Sequence, residues 1–158
     1  VRRRRSWKSR VTRMAQVDWC QRGLLAEATA RLITARIRLA VSPFRKVAPT
    51  LGNFVPPTDP RIAERRAPAA PDQAHIARQV GWAVASAARH VPFKAVCLPQ
   101  AMAAHAMLKR RGIASAVHFG ARKNDEKPID AHAWLDAAGV EVTGYPLESG
   151  MTEIGCFV

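Results

Sequence analysis

After Gly112 the chain breaks into short extended segments separated by a few residues each, and no interval among them is long enough for a crossover helix. Residues 115–121 and 129–135 read as strands, with Lys123 to Pro128 as a polar turn between them. Ala138-Gly139 then reverses the chain into an extended stretch over 140–145, and 154–158 supplies a final short strand. Strands that follow one another this closely pair antiparallel. The fold class expected is therefore α+β, with N-terminal helices followed by an antiparallel sheet.

The helices are read from spacing and punctuation. From Asp18, an N-cap residue, to about Val41 there is no proline, and Leu24, Leu25, Ala28, Leu32, Ala35 and Leu39 recur at helical intervals. Arginines at 22, 31, 36 and 38 interleave with that stripe, so the segment is a basic amphipathic helix, ended by Ser42-Pro43. Its arginines suit either solvent or a partner surface. Residues 47–71 are broken by Pro49, Pro56, Pro57, Pro60, Pro68 and Pro71, leaving an irregular connector with one short helical piece near Arg61 to Ala67. Asp72 caps a helix to about His90, with Ile76, Val80, Ala83, Val84 and Ala87 as its apolar face. A third helix covers 98–111. Pro99 is tolerated in its first turn, Lys109 to Arg111 suit its negative end, and Gly112 follows as the stop. The organisation expected is a basic helical segment over 1–46, a proline-rich connector over 47–71, and a core over 72–158.

Charge separates these parts. The chain of 158 residues carries a formal net charge of +13, and residues 1–46 alone hold thirteen Lys or Arg against Asp18 and Glu27. The remainder is nearly balanced, so a nucleic-acid surface is not imposed on the core, and no aromatic-rich basic groove supports specific nucleic-acid binding. With 48% apolar and 23% charged residues the composition is that of a globular protein. Three widely spaced cysteines, Cys20, Cys97 and Cys156, fit neither a disulfide framework nor paired metal ligation, and point to a reducing cytoplasm. The run Arg2 to Arg5 lacks the apolar stretch of a signal peptide, and no stretch is apolar for long enough to span a membrane. There is no phosphate-binding glycine loop and no dinucleotide signature, so no cofactor is expected.

Cys97 stands just before the helix at 98–111, where a thiolate meets the positive end of the helix and free backbone N–H groups that could hold an oxyanion. His132, in Ile129-Asp130-Ala131-His132-Ala133-Trp134, lies on a strand after that helix and is the candidate general base. Trp134 shares its strand face and either walls the site or packs in the core. Hairpin counting places Thr143, Gly144 and Tyr145 opposite His132, with no carboxylate among them. Asp136 ranks first among the acids that could orient the histidine, although four strand residues, roughly 13 Å, separate the two. Thr143, a backbone carbonyl or a water are the alternatives. A zinc site from Cys97, His105, His118 and His132 is disfavoured, since eight helical residues put Cys97 and His105 about 12 Å apart along the axis.

These motifs carry a resemblance. Cys97-Leu98-Pro99-Gln100-Ala101, Leu108-Lys109-Arg110-Arg111-Gly112-Ile113, Val117-His118-Phe119-Gly120 and Ala131-His132-Ala133-Trp134-Leu135 with Gly139 occur in the order found in the stand-alone leader peptidases of lasso-peptide biosynthesis, the McjB C-terminal-like family. Leu24 to Ala28, Pro43 to Lys46 and Leu51-Gly52 look like that family's N-terminal part, so the resemblance spans nearly the whole chain. It implies a transglutaminase-like, papain-related fold and a cytoplasmic cysteine protease that removes the leader peptide from a ribosomally made precursor. Cys97 matches the nucleophile and His132 the base; the family's third member is an acid after the histidine, which residues 143–145 do not supply. The resemblance also implies two partners, a small leader-binding protein and an ATP-dependent macrolactam cyclase. A transamidase, or a peptide-binding relative without activity, would share the same scaffold.

Overall fold

A computed structural model describes residues 19–123 and 129–158; the expectations for the N-terminal tail and for most of the polar turn at 123–128 lie outside the described residues. Helix α1 runs Trp19–Val41 and buries Ala28, Leu32 and Ala35, positions spaced to form one stripe. Pro43 follows its end and starts a short helix α2, Phe44–Val47, and a 3-10 turn, Ala48–Thr50. Strand β1 is only Phe54–Val55. Helix α3, Pro60–Arg66, is capped by the Asp59 side chain, which accepts from the Arg61 N–H at 3.0 Å. Helix α4, Pro71–Ala88, opens two residues earlier than a cap at Asp72 would give: Ala70 is the N-cap, Pro71 sits in the first turn, where the missing N–H costs nothing, and Asp72 lies inside that turn. Helix α5, Cys97–Arg110, likewise begins on Cys97 itself.

Four further strands follow: β2 Ser115–Arg122, β3 Asp130–Ala137, β4 Val140–Thr143 and β5 Thr152–Phe157. All pairs are antiparallel, in the order β1-β5-β2-β3-β4. The α+β expectation holds. The β3–β4 reversal is made by Ala138 and Gly139, at φ 53° and 74°, the left-handed pair that a two-residue hairpin turn requires. Strand β1 was not anticipated. Two residues directly before Pro56 are too few for an alternation signal, yet they pair with Phe157 and Cys156 and close the far edge of the sheet.

Helices α4 and α5 pack on one face of the sheet, and α1 packs on those two helices. Leu32, Val80, Val84, Met107, Leu108, Val117, Ala133 and Leu135 meet there as a single apolar core, and burying a Leu side chain of this kind contributes roughly 1.5–3 kcal/mol. The basic helix is thus built into the core, with its arginines turned outward. Gly81 of α4 allows a close approach: a Cβ there would lie 2.6 Å from the Val142 carbonyl oxygen. Alternation along the strands sends Ala116 and Cys156 to the opposite face, where they pack with Val55, Val158 and Ile62 of α3.

Candidate active site

Cys97 is the first residue of α5, half-buried and free of any disulfide. Pro99 has no N–H and the Gln100 N–H reaches the Val96 carbonyl at 3.3 Å. The main-chain N–H groups of Cys97 and Leu98 therefore remain without acceptors inside the helix. The Gln100 side chain donates to the Ala95 carbonyl at 2.6 Å and so braces the loop that delivers the cysteine. A thiol with oxyanion donors beside it is what acyl transfer needs.

His132 is the third residue of β3 and half-buried. Its Nε2 lies 2.7 Å from the Gly144 carbonyl oxygen. A carbonyl can only accept, so Nε2 carries the proton and the lone pair of the neutral ring sits on Nδ1. Gly144 can take this place because it has no side chain: at φ +84° a Cβ would come within 2.6 Å of the Ala133 carbonyl and 2.7 Å of Trp134 Cβ. A bulge between Leu135 and Asp136 sets Leu135 opposite Thr143, and β4 pairing stops there. The imidazole thus leans toward the edge of β3 beyond the end of β4. Of the alternatives open in the sequence, the backbone carbonyl is the one that orients the histidine.

Asp136 is committed elsewhere. Its carboxylate accepts from the Tyr145 hydroxyl at 2.5 Å, pairs with Arg66 Nε of α3 at 2.9 Å and lies 3.3 Å from His118 Nε2. Among the described residues the hydrogen bond shown at the His132 ring nitrogens is to Gly144, so the ranking of Asp136 as orienting acid finds no support in the geometry. The physical reason is the four-residue separation along an extended strand. Cys97 and His132 are not joined either: among the described residues no hydrogen bond links the thiol to the imidazole. Cys97 packs against the helical core, whereas His132 alternates with Ala133 and belongs to the strand face of Trp134.

That face holds an arrangement absent from the sequence reading. His118 is fully buried, with Nδ1 2.6 Å from Glu153 and Nε2 beside Asp136. Burial alone would lower its pKa, but the hydrogen bonds it donates to Asp136, Cys156 and Glu153 outweigh it and raise the value to about 10. The imidazolium is stacked on Trp134 at 5.4 Å and 5°, and His132 approaches the same indole at 6.2 Å and 18°. Tyr145 is pushed above the ordinary phenol range by burial and by its bond to Asp136. His118, Glu153 and Cys156 place donor atoms within 4.8 Å of one another. The short His118 to Glu153 contact already uses both groups as a charge-assisted hydrogen bond, so they form an ion network in their own right. Cross-strand register, His118 opposite both Trp134 and Cys156, was the signal that would have found it. The zinc grouping considered from sequence does not assemble, since Cys97 and His105 are separated along α5.

No curated protein and no solved structure gives a match to the chain. The model of one family does, and its span includes Cys97, His132, His118, Asp136 and Glu153 and ends just before Cys156. Over residues 39–154, from the last turn of α1 into β5, the chain matches the transglutaminase-like superfamily, which includes cysteine peptidases, and it belongs to that superfamily.

Proposed function

We propose that this chain is a cysteine peptidase that removes the leader from a ribosomally made peptide precursor, specifically a lasso-peptide precursor before macrolactam formation. The observation that carries the catalytic part is the Gly144 carbonyl on His132 Nε2, which leaves Nδ1 as the basic nitrogen without any acidic third residue. The leader assignment rests on the ordered motifs around Cys97 and His132. Cys97 attacks the scissile carbonyl, and His132 takes the thiol proton and returns it to the departing amine of the core peptide. The leader remains as an acyl-enzyme until water releases it; an amine in place of water would make the same site a transamidase. The N–H groups of Cys97 and Leu98 are placed to stabilise the oxyanion.

The test is cleavage of candidate lasso precursors in the presence of their small leader-binding protein, with products weighed by mass spectrometry. Cleavage between leader and core is expected from the native chain and none from Cys97→Ala. Undiminished cleavage by Cys97→Ala removes the nucleophile assignment. A second reading, a peptide-binding module without activity, is favoured by the missing thiol–imidazole hydrogen bond. It predicts precursor binding without turnover and no effect of His132→Ala on alkylation of Cys97.

A further inference from the structure

Away from Cys97 and His132, a cavity of about 370 Å³ lies between α1, the 3-10 turn and the second half of α5. A neighbouring cavity of about 330 Å³ shares Leu51, His105 and Lys109 as its wall. Arg31 and Arg38 of α1 line the first and Arg65 of α3 lines the second, and among the described residues no Asp or Glu side chain lines either. Glu27, one turn before Arg31, is engaged by Arg111 at 2.7 Å and Arg110 at 3.5 Å. Glu27 also acts on Arg31, but the field in the cavities remains positive. Ala35, Leu51 and Met102 give the first cavity a buried apolar floor.

His105 supplies the independent sign of a ligand. It is only 9% exposed, its Nδ1 lies 2.9 Å from the Ser115 hydroxyl, and its Nε2 has no hydrogen-bond partner. An unused buried polar atom costs about 1–3 kcal/mol. Burial, reinforced by Lys109 and Arg65 and only partly offset by the Thr50 backbone, too poorly aligned to satisfy Nε2, lowers the pKa of the ring to about 4, so it is neutral near neutral pH. With the Ser115 hydroxyl donating to Nδ1, Nε2–H is left as a donor in a residue that lines both cavities.

We infer that the first of these adjoining cavities binds a phosphorylated small molecule, its phosphate set among Lys109, Arg31 and Arg38 and its apolar portion laid on Ala35, Leu51 and Met102. Four cations on two sides of one wall exceed what a single carboxylate neutralises. A dianion with three acceptor oxygens matches them, and guanidinium groups pair with phosphate bidentately. The site is independent of the Cys97 chemistry.

The experiment is a titration of the full chain followed by NMR at constant ionic strength, with phenyl phosphate, inorganic phosphate and benzoate as probes. Phenyl phosphate is expected to shift the His105 ring and Met102 methyl signals saturably, with a dissociation constant of about 1 mM or below. Inorganic phosphate is expected to bind more weakly, for want of the apolar contact, and benzoate more weakly still. Lys109→Ala and Arg38→Ala should each weaken phenyl phosphate by about tenfold, and the bound dianion should raise the pH at which His105 titrates. Shifts that never saturate, equal binding of benzoate and phenyl phosphate, or unchanged affinity in both variants would each overturn the inference. Alkylation of Cys97 is measured in the same samples, so loss of the peptidase reading leaves this result intact.

Discussion

At the scale of single residues, the support of His132 and the burial of charge are separable. Asp136 is nearly buried and serves Tyr145, Arg66 and His118 at once, so Asp136→Asn leaves a buried imidazolium and a guanidinium short of a counter-charge. The expected loss is about 3 kcal/mol of unfolding free energy, read from the denaturant midpoint, with little change in the alkylation rate of Cys97. A slowing of alkylation as large as that of His132→Ala would instead return Asp136 to the catalytic set. Gly144→Ala has the opposite profile. A Cβ at φ +84° collides with the Ala133 carbonyl and displaces the acceptor of His132. The variant is expected to lose roughly 1–3 kcal/mol and also to slow Cys97 alkylation. The sequence could single out Cys97 and His132 as candidates because residue type and position, at a helix start and on a strand, are visible in it. It could not name the Gly144 carbonyl, since a backbone oxygen leaves no mark of its own and the bulge that sets the register depends on packing.

At the scale of elements, close approach decides what a substitution costs. Helix α4 lies on β4 because Gly81 lets it reach the Val142 carbonyl, and Gly81→Ala would place a Cβ 2.6 Å from that oxygen. Backbone has to move to relieve such a contact. The expected cost is about 1–3 kcal/mol, measured as a lower thermal midpoint with unchanged far-UV helicity. Equal stability of the alanine variant would mean that α4 and β4 are held less tightly than the geometry states. Helices α1, α4 and α5 were legible to within a residue or two because apolar spacing, prolines and Gly112 agree with one another. Strand β5 was placed two residues late, and β1 was missed altogether. Both derive their strand character from partners far along the chain, β1 from β5 and β5 from β2, and such pairing is invisible to local pattern.

At the scale of the whole molecule, two buried histidines with opposite shifts shape the dependence of stability on pH. His105 is held at about 4 in the fold against 6.5 when unfolded. Its neutral form is the one the fold accepts, so its contribution is complete above pH 6.5 and is lost as the pH falls toward 4. His118 is raised to about 10 from the same 6.5. Its charged form is the one bound by Asp136 and Glu153, so its contribution is complete below pH 6.5 and is lost as the pH rises toward 10. Each represents on the order of a few kcal/mol, and together they place a stability maximum near pH 6.5, flanked by an acid limb and an alkaline limb. Chemical denaturation at intervals from pH 4 to pH 10 checks this. His105→Gln should flatten the acid limb alone and His118→Gln the alkaline limb alone, each at the cost of a lower maximum. An alkaline limb that survived His118→Gln unchanged would show that the buried ion network draws its stability from Arg66, Asp136 and Tyr145 without the imidazolium.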